Sequence, residues 1–282
     1  MATETTRTSA KAWSPDVSYF NADQVIPDAL ILQCSTISGS IEGDAPVVRV
    51  AYVDDAEANF VAEGTEIPEA DPTLAEVLVA TGKVAQLVRL SREQYIQAGT
   101  ASLLSSSVAR AVTNRANTAF LNQPAPTSPA VSPAPGLLNM AGITAGGAVE
   151  GDLDALVDLF ATLEAEGAQP THILIDPLGW ANLRKLKTAT GSAANLLGAG
   201  TNDAQRMLLD VPVLVSPAMP AGTGLVIDKA AVISAVGQIQ VATSQDVYFN
   251  SDSIGLRCTF RFGQNVVRPE RLGKFTVTAA AA

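Results

Sequence analysis

Between residues 46 and 90 the chain runs out and back around a segment that cannot join a hydrophobic core. Val47, Val48, Val50, Tyr52 and Val53 read as a strand, and the apolar run over 74–90 reads as a second, returning one. Between them lies Glu63-Gly64-Thr65-Glu66-Ile67-Pro68-Glu69-Ala70-Asp71-Pro72, acidic and stiffened by proline. Residues 42–76 hold ten acids and one cation, Arg49. Burying so many like charges without partners costs more than local packing returns. The segment therefore reads as a long hairpin whose polar tip projects from the body of the fold.

The body follows from periodicity on either side. Ser91-Arg92-Glu93-Gln94 has the spacing of a capping box, in which a serine hydroxyl and a glutamine side chain each satisfy an orphan amide at a helix start. Beyond Gly99, the residues Leu104, Val108, Ala111, Val112, Ala116, Ala119 and Phe120 recur at helical spacing, which predicts a long helix reaching Asn122 and broken near Gly99. Residues 124–135 hold five prolines and read as a loop. A second helix has Asp152 and Asp154 at its positive end, Leu153, Leu156, Val157, Phe160 and Leu163 on one face, and Gly167 as its stop. Strand and helix then alternate over 171–175, 177–187, 211–215 and 225–227, as in a mixed α/β unit. Residues 238–277 alternate like strand throughout and predict one sheet. Residues 1 to about 40 carry few periodic signals; they read as an extended arm with one short helix, ordered by something outside itself.

Composition excludes several functions. A net charge of −10 argues against a surface built to grip nucleic acid, which needs clustered Lys and Arg. No apolar run approaches the roughly 20 residues of a membrane span, and the polar start carries no signal peptide. Hydrophobic residues reach 47% against 16% charged, so part of the apolar surface is expected to hide against partners. Cys34 and Cys258 have no metal-ligand spacing and read as buried thiols in a reducing compartment; with one histidine they make no zinc set. That histidine, His172, shares a strand face with Asp176, the one pairing that would suit an α/β hydrolase-like enzyme. No Gly-x-Ser-x-Gly elbow accompanies it, and a structural role is the simpler reading. Asp154 and Asp158 share a helix face, yet acids at a helix start are ordinary. The clusters Gly146-Gly147, Gly198-Ala199-Gly200 and Gly222-Thr223-Gly224 match neither a P-loop nor a dinucleotide fingerprint and read as turns.

Charge is distributed unevenly. Against the acidic hairpin, residues 252–277 hold Arg257, Arg261, Arg268, Arg271 and Lys274, with Asp252 and Glu270 opposing. A projecting loop of one sign and a sheet of the other suit a contact in which one copy's loop lies across a neighbour. Glu63, Glu66, Glu69 and Asp71 on one side, and Arg257, Arg261, Arg268 and Arg271 on the other, are the candidate inter-subunit residues.

The order of these parts resembles the major capsid proteins of tailed bacteriophages, whose fold is shared with the encapsulin compartments. Phe60-Val61-Ala62-Glu63-Gly64 with Pro68 and Pro72-Thr73-Leu74 resembles that family's extended loop. Lys83-Val84-Ala85-Gln86-Leu87-Val88-Arg89-Leu90 is similar to its returning strand, and Ala119-Phe120-Leu121-Asn122 to the end of its spine helix. Pro135-Gly136-Leu137-Leu138-Asn139 looks like the start of its axial domain. Leu209-Asp210-Val211-Pro212-Val213 and Met219-Pro220-Ala221-Gly222-Thr223-Gly224 look like motifs before that domain's later strands. The resemblance covers roughly residues 45–277.

It implies an α+β capsid fold with an N-terminal arm (1–41), an extended β-hairpin loop (42–90), a peripheral domain with a spine helix and sheet (91–135 and 238–282) and a mixed α/β axial domain (136–237). It also implies a structural protein, not an enzyme, with no cofactor and no metal. Its copies would form hexamers and pentamers of an icosahedral shell around double-stranded DNA, held without specific binding. The expected partners are the protein itself, a portal, and scaffolding or decoration proteins; no membrane is involved. Assembly would take place in the host cytoplasm and the product would reside in the virion. An acidic chain suits a wall that must not stick to its DNA. Some relatives carry a cleaved scaffolding segment ahead of the loop; here the recognisable loop begins near residue 45, which implies a separate scaffolding protein or none. Some relatives cross-link a loop lysine to a neighbour's asparagine. The acidic tip has no lysine, and Lys83, on the returning strand, is the region's only one, so non-covalent stabilisation is expected. An encapsulin-like compartment enclosing cargo enzymes is the alternative within the same fold.

Overall fold

The computed structural model describes residues 17–20, 26, 28–41, 45–54, 60, 64, 73–96, 100–188, 194–197 and 206–278. In chain order the elements are β1 (Val17–Phe20), α1 (Leu30–Cys34), β2 (Thr36–Ser40), β3 (Val47–Asp54), β4 (Thr73–Ala80), β5 (Gly82–Ser91), α2 (Arg92–Ile96) and α3 (Thr100–Asn122). There follow β6 (Thr144–Val149), α4 (Asp154–Ala165), β7 (His172–Ile175), α5 (Pro177–Lys185), β8 (Met207–Leu208), β9 (Val211–Val215), β10 (Thr223–Ile227), β11 (Val232–Val236), β12 (Ile239–Tyr248), β13 (Ser253–Val266) and β14 (Gly273–Val277).

They build two six-stranded sheets and a separate hairpin, β3–β4. In the first sheet β13 is central. β5 pairs antiparallel along one edge, from Gly82 opposite Phe262 to Ser91 opposite Ser253. β11 and β12 follow one another along the other edge, with β2 parallel to β11 and β1 antiparallel to β12 outside them. The second sheet has the order β6-β14-β10-β7-β9-β8.

One face of the first sheet rests on α3. Val108, Val112, Ala116, Ala119 and Phe120, the residues whose spacing predicts the helix, are buried against Leu256, Cys258, Phe260 and Phe262. The rings of Phe260 and Phe262 stack with centroids 5.2 Å apart. The second sheet is covered on both faces. Leu174, Leu225 and Ile227 turn into the same core as α3, while Ile173, Ile175, Val226 and Phe275 meet Leu156, Leu159, Phe160 and Leu163 of α4.

Local signals explain the helix ends. The amide of Gln94 donates to Ser91 Oγ at 3.3 Å, half of the predicted capping box. Asp176 caps α5, accepting from the amides of Leu178 and Gly179 at 3.1 and 3.0 Å, with Pro177 at the first helical position. At the end of α3 the chain returns across the helix. Gly136 donates to Gln123 O at 2.8 Å, and Asn139 Nδ2 donates to the same carbonyl at 2.9 Å. A Cβ on Gly136 would lie 2.5 Å from the Gln123 amide, so only glycine permits this crossing.

Five expectations change. Gly146-Gly147 and Thr223-Gly224 stand in strands β6 and β10, not in turns. The run 74–90 is not one strand: it divides at Thr81 into β4, in the hairpin, and β5, in the first sheet. Residues 238–277 are not one sheet, because β14 crosses to the second, between β6 and β10. The arm is not ordered only from outside: Ile26, Leu30, Ile31 and Cys34 are buried in the first core, and the Leu30 amide donates to Asn117 Oδ1 at 2.8 Å. Val157, placed with the buried face of α4, is 48% exposed, and Leu159 takes its place. The break expected near Gly99 lies outside the described residues.

Candidate assembly surfaces

The face of the first sheet turned away from α3 divides into two parts. At the β11 end it is covered by the base of the hairpin: Val50 and Val79 pack with Ile41, Ile233 and Ala235. Asn265 Nδ2 donates to Leu78 O at 2.9 Å. Among the described residues, none of the hairpin covers the rest of the face. Register places Lys83 opposite Arg261, Ala85 opposite Thr259, Leu87 opposite Arg257 and Arg89 opposite Gly255, and directly paired antiparallel residues point to the same side. Lys83, Leu87, Arg89 and Arg257 are exposed, and Arg261 is half-buried. Neither β5 nor β13 contains an acid; the one acid of β12, Asp246, lies in its irregular segment between Ser244 and Tyr248. Arg89 stands 4.8 Å from the ring centre of Tyr248 at the far end. The result is a cationic face around Leu87, bordered by the anchored root of an acidic hairpin.

The sequence-predicted arginines therefore separate. Arg257 and Arg261 stand on this face. Arg268 and Arg271 do not: they flank and end the 3₁₀ turn Pro269–Arg271 that carries the chain from β13 to β14, where both are half-buried. Arg271 lies against Gly167 at the C-terminal end of α4. Glu63, Glu66, Glu69 and Asp71 lie outside the described residues. Lys83 and Arg89 had not been grouped with the arginines. Alternation along β5 puts both on one side of that strand, but only the pairing of β5 with β13 brings them beside Arg257 and Arg261.

The chemistry considered for His172 finds little support in its surroundings. Asp176 directs both carboxylate oxygens at the start of α5, while His172 Nδ1 lies 3.2 Å from Thr171 Oγ1. Burial, with the nearby charge of Lys229, lowers the His172 pKa from 6.5. Burial raises both thiols, Cys34 to about 12, with Lys229 opposing there. Asp154 and Asp158 are exposed on α4, and among the described residues no three His, Cys, Asp or Glu side chains gather where they could hold a metal ion. Gly146 lies under Leu159 of α4, in a helix–strand contact and not a phosphate cradle. No helix among the described residues is long and apolar enough to cross a membrane.

The model of the phage capsid family matches residues 28–277, from the buried arm through β14. The chain belongs to the phage capsid family. Solved structures agree with that placement. A chain from Gordonia phage Cozz superposes with a TM-score of 0.67 at 16% identity, covering 96% of this chain and 90% of that one. The capsid of an empty GTA particle gives 0.68 at 16% identity, over 100% and 96%. Microbacterium phage Oxtober96 gives 0.68 at 15%, over 99% and 96%. At such identities the likeness is one of fold: the α+β capsid fold, with its mixed sheets and few helices. No curated protein matches the chain in sequence. As a member of the phage capsid family the chain is a structural protein and a virion component.

Proposed function

We propose that this capsid protein is a major shell subunit, whose copies form hexamers and pentamers of an icosahedral shell around double-stranded DNA. In this reading the acidic hairpin of one copy lies on the cationic face of the next. The observation that carries the pairing is the exposure of Arg89 and Arg257 on the side of the first sheet turned away from α3, beside Lys83 and Arg261. Glu63, Glu66, Glu69 and Asp71 are the matching charges. An exposed pair contributes about 0–1 kcal/mol, so the effect depends on repetition over every subunit contact. Arg268 and Arg271 are left out of the pairing because they stand off this face.

The chain divides into an arm (1–41), an extended loop (42–90), a peripheral domain built on α3 and the first sheet, and an axial domain built on the second. β14 belongs with the axial part because of the sheet it joins. The shell assembles in the host cytoplasm, with a portal as a partner.

Electron microscopy of the purified protein tests the reading. Closed shells are expected from the wild type, and folded but unassembled subunits from Lys83→Glu/Arg257→Glu. A discrete small oligomer from the wild type would defeat the shell; normal shells from the double variant would remove the hairpin–face pairing. The contacts are non-covalent, so particles boiled in detergent run as monomer. DNA inside the particle separates a virion from an encapsulin-like compartment holding protein cargo.

A further inference from the structure

Thr81 stands where the hairpin meets the body, between β4 and β5. It is 1% exposed, and each of its polar groups is engaged. Its amide donates to Pro46 O at 2.9 Å. Its hydroxyl donates to Ala45 O at 2.6 Å and accepts from Arg261 Nη1 at 3.0 Å. Its carbonyl accepts from Ser132 Oγ at 2.6 Å. Four segments far apart in sequence meet on this one residue: the outgoing root of the hairpin, the β4–β5 turn, the proline-rich loop and β13. The approach is close enough to demand glycine on β13, since a Cβ on Gly263 would lie 2.2 Å from Ala80 O.

A two-stranded ribbon has little stability of its own, and its direction is set by its root. The apolar contacts at that root resist separation, but they are not directional. Hydrogen bonds are. We infer that Thr81 is the positioning residue that aims the projecting hairpin, and that Arg261 links this aim to the cationic face. The guanidinium that braces the Thr81 hydroxyl belongs to the surface on which a second copy's acidic hairpin lies, so docking there acts on the same group that holds the resident hairpin. The link to docking rests on the proposed function. The aiming role does not.

Thr81→Val keeps the shape and removes the hydroxyl, whereas Thr81→Ser keeps the hydroxyl. Amide hydrogen exchange on dissociated full-length subunits is the direct measurement. Thr81→Val is expected to speed exchange in β3 and β4 about tenfold and to leave α4 and β7 unchanged, with Thr81→Ser close to the wild type. Arg261→Lys keeps the charge but not the planar donor, and is expected to give a smaller rise confined to the same strands. In assembly, Thr81→Val should yield open or mixed-size particles and Thr81→Ser uniform shells. Wild-type exchange in β3 and β4 of Thr81→Val, or a rise spread over the whole chain, would overturn the aiming role whether or not shells form. Wild-type exchange in Arg261→Lys would overturn the link. Failure of the wild type to form shells would count against the proposed function and leave the exchange result standing.

Discussion

The two six-stranded sheets differ in what covers them. The second is closed on both sides, by α4 on one face and by the core beneath α3 on the other, and its strands β7 and β10 are buried almost without alternation. The first is closed by α3 on one side only. Among the described residues its other side is covered only in part, by the hairpin root, and there β5 alternates between half-buried and exposed from Gly82 to Leu90. A sheet buried on both faces can use its side chains only for packing. A sheet covered on one face exposes alternate side chains on the other, and in this chain Lys83, Arg89 and Arg257 are among them.

The sharpest way to break this comparison is to remove apolar bulk from each sheet. Phe275→Ala, in the closed sheet, should cost about 3–5 kcal/mol in denaturant unfolding, whereas Leu87→Ala, on the open face, should stay within about 0.5 kcal/mol. Equal losses would mean that the face around Leu87 is not open. A charge reversal gives an intermediate contrast. Arg257→Glu should leave subunit stability within about 0.5 kcal/mol. Arg271→Glu should cost about 1–2 kcal/mol, because it places an acid at the negative end of α4. Thermal melts of the two variants compare them directly.

The smallest effect concerns pH. His172, in the closed sheet, loses its proton more readily folded than unfolded, so below 6.5 the unfolded chain binds more protons and stability falls as pH drops towards the folded value. His172→Asn should flatten that slope. The slope is shallow because the ring is partly open to solvent, and a steeper acid loss surviving the substitution would place its source elsewhere.

Much of this was legible in the sequence, and the failures share a cause. Periodicity located α3, α4, β7 and β9, because each depends on its own residues. Glu-rich composition around prolines marked the hairpin for the same reason. Periodicity does not say which strands pair. Residues 74–90 read as one strand because the polarity of Thr81 alone does not announce a change of sheet, and 238–277 read as one sheet because the short link 267–272 between β13 and β14 does not announce one either. β6, with Gly146 and Gly147, carried no strand signal; Gly146 answers to the close approach of Leu159 and Gly147 to that of Ala155. On the surface, the arginines of β13 were visible in sequence. Their grouping with Lys83 and Arg89 depended on a register between segments about 170 residues apart.

The position of β13 in the chain has a consequence for biosynthesis. The strand at the centre of the first sheet comes from residues 253–266, whereas β1, β2 and β5 come from the first third of the chain. During translation those early strands leave the ribosome before their partners: β5 pairs with β13, β1 with β12 and β2 with β11. The cationic face therefore comes into existence only after β13 has been synthesised. On the proposed packing, a nascent chain shorter than this could not receive a neighbour's hairpin there, so contour length would act as a timer on subunit joining.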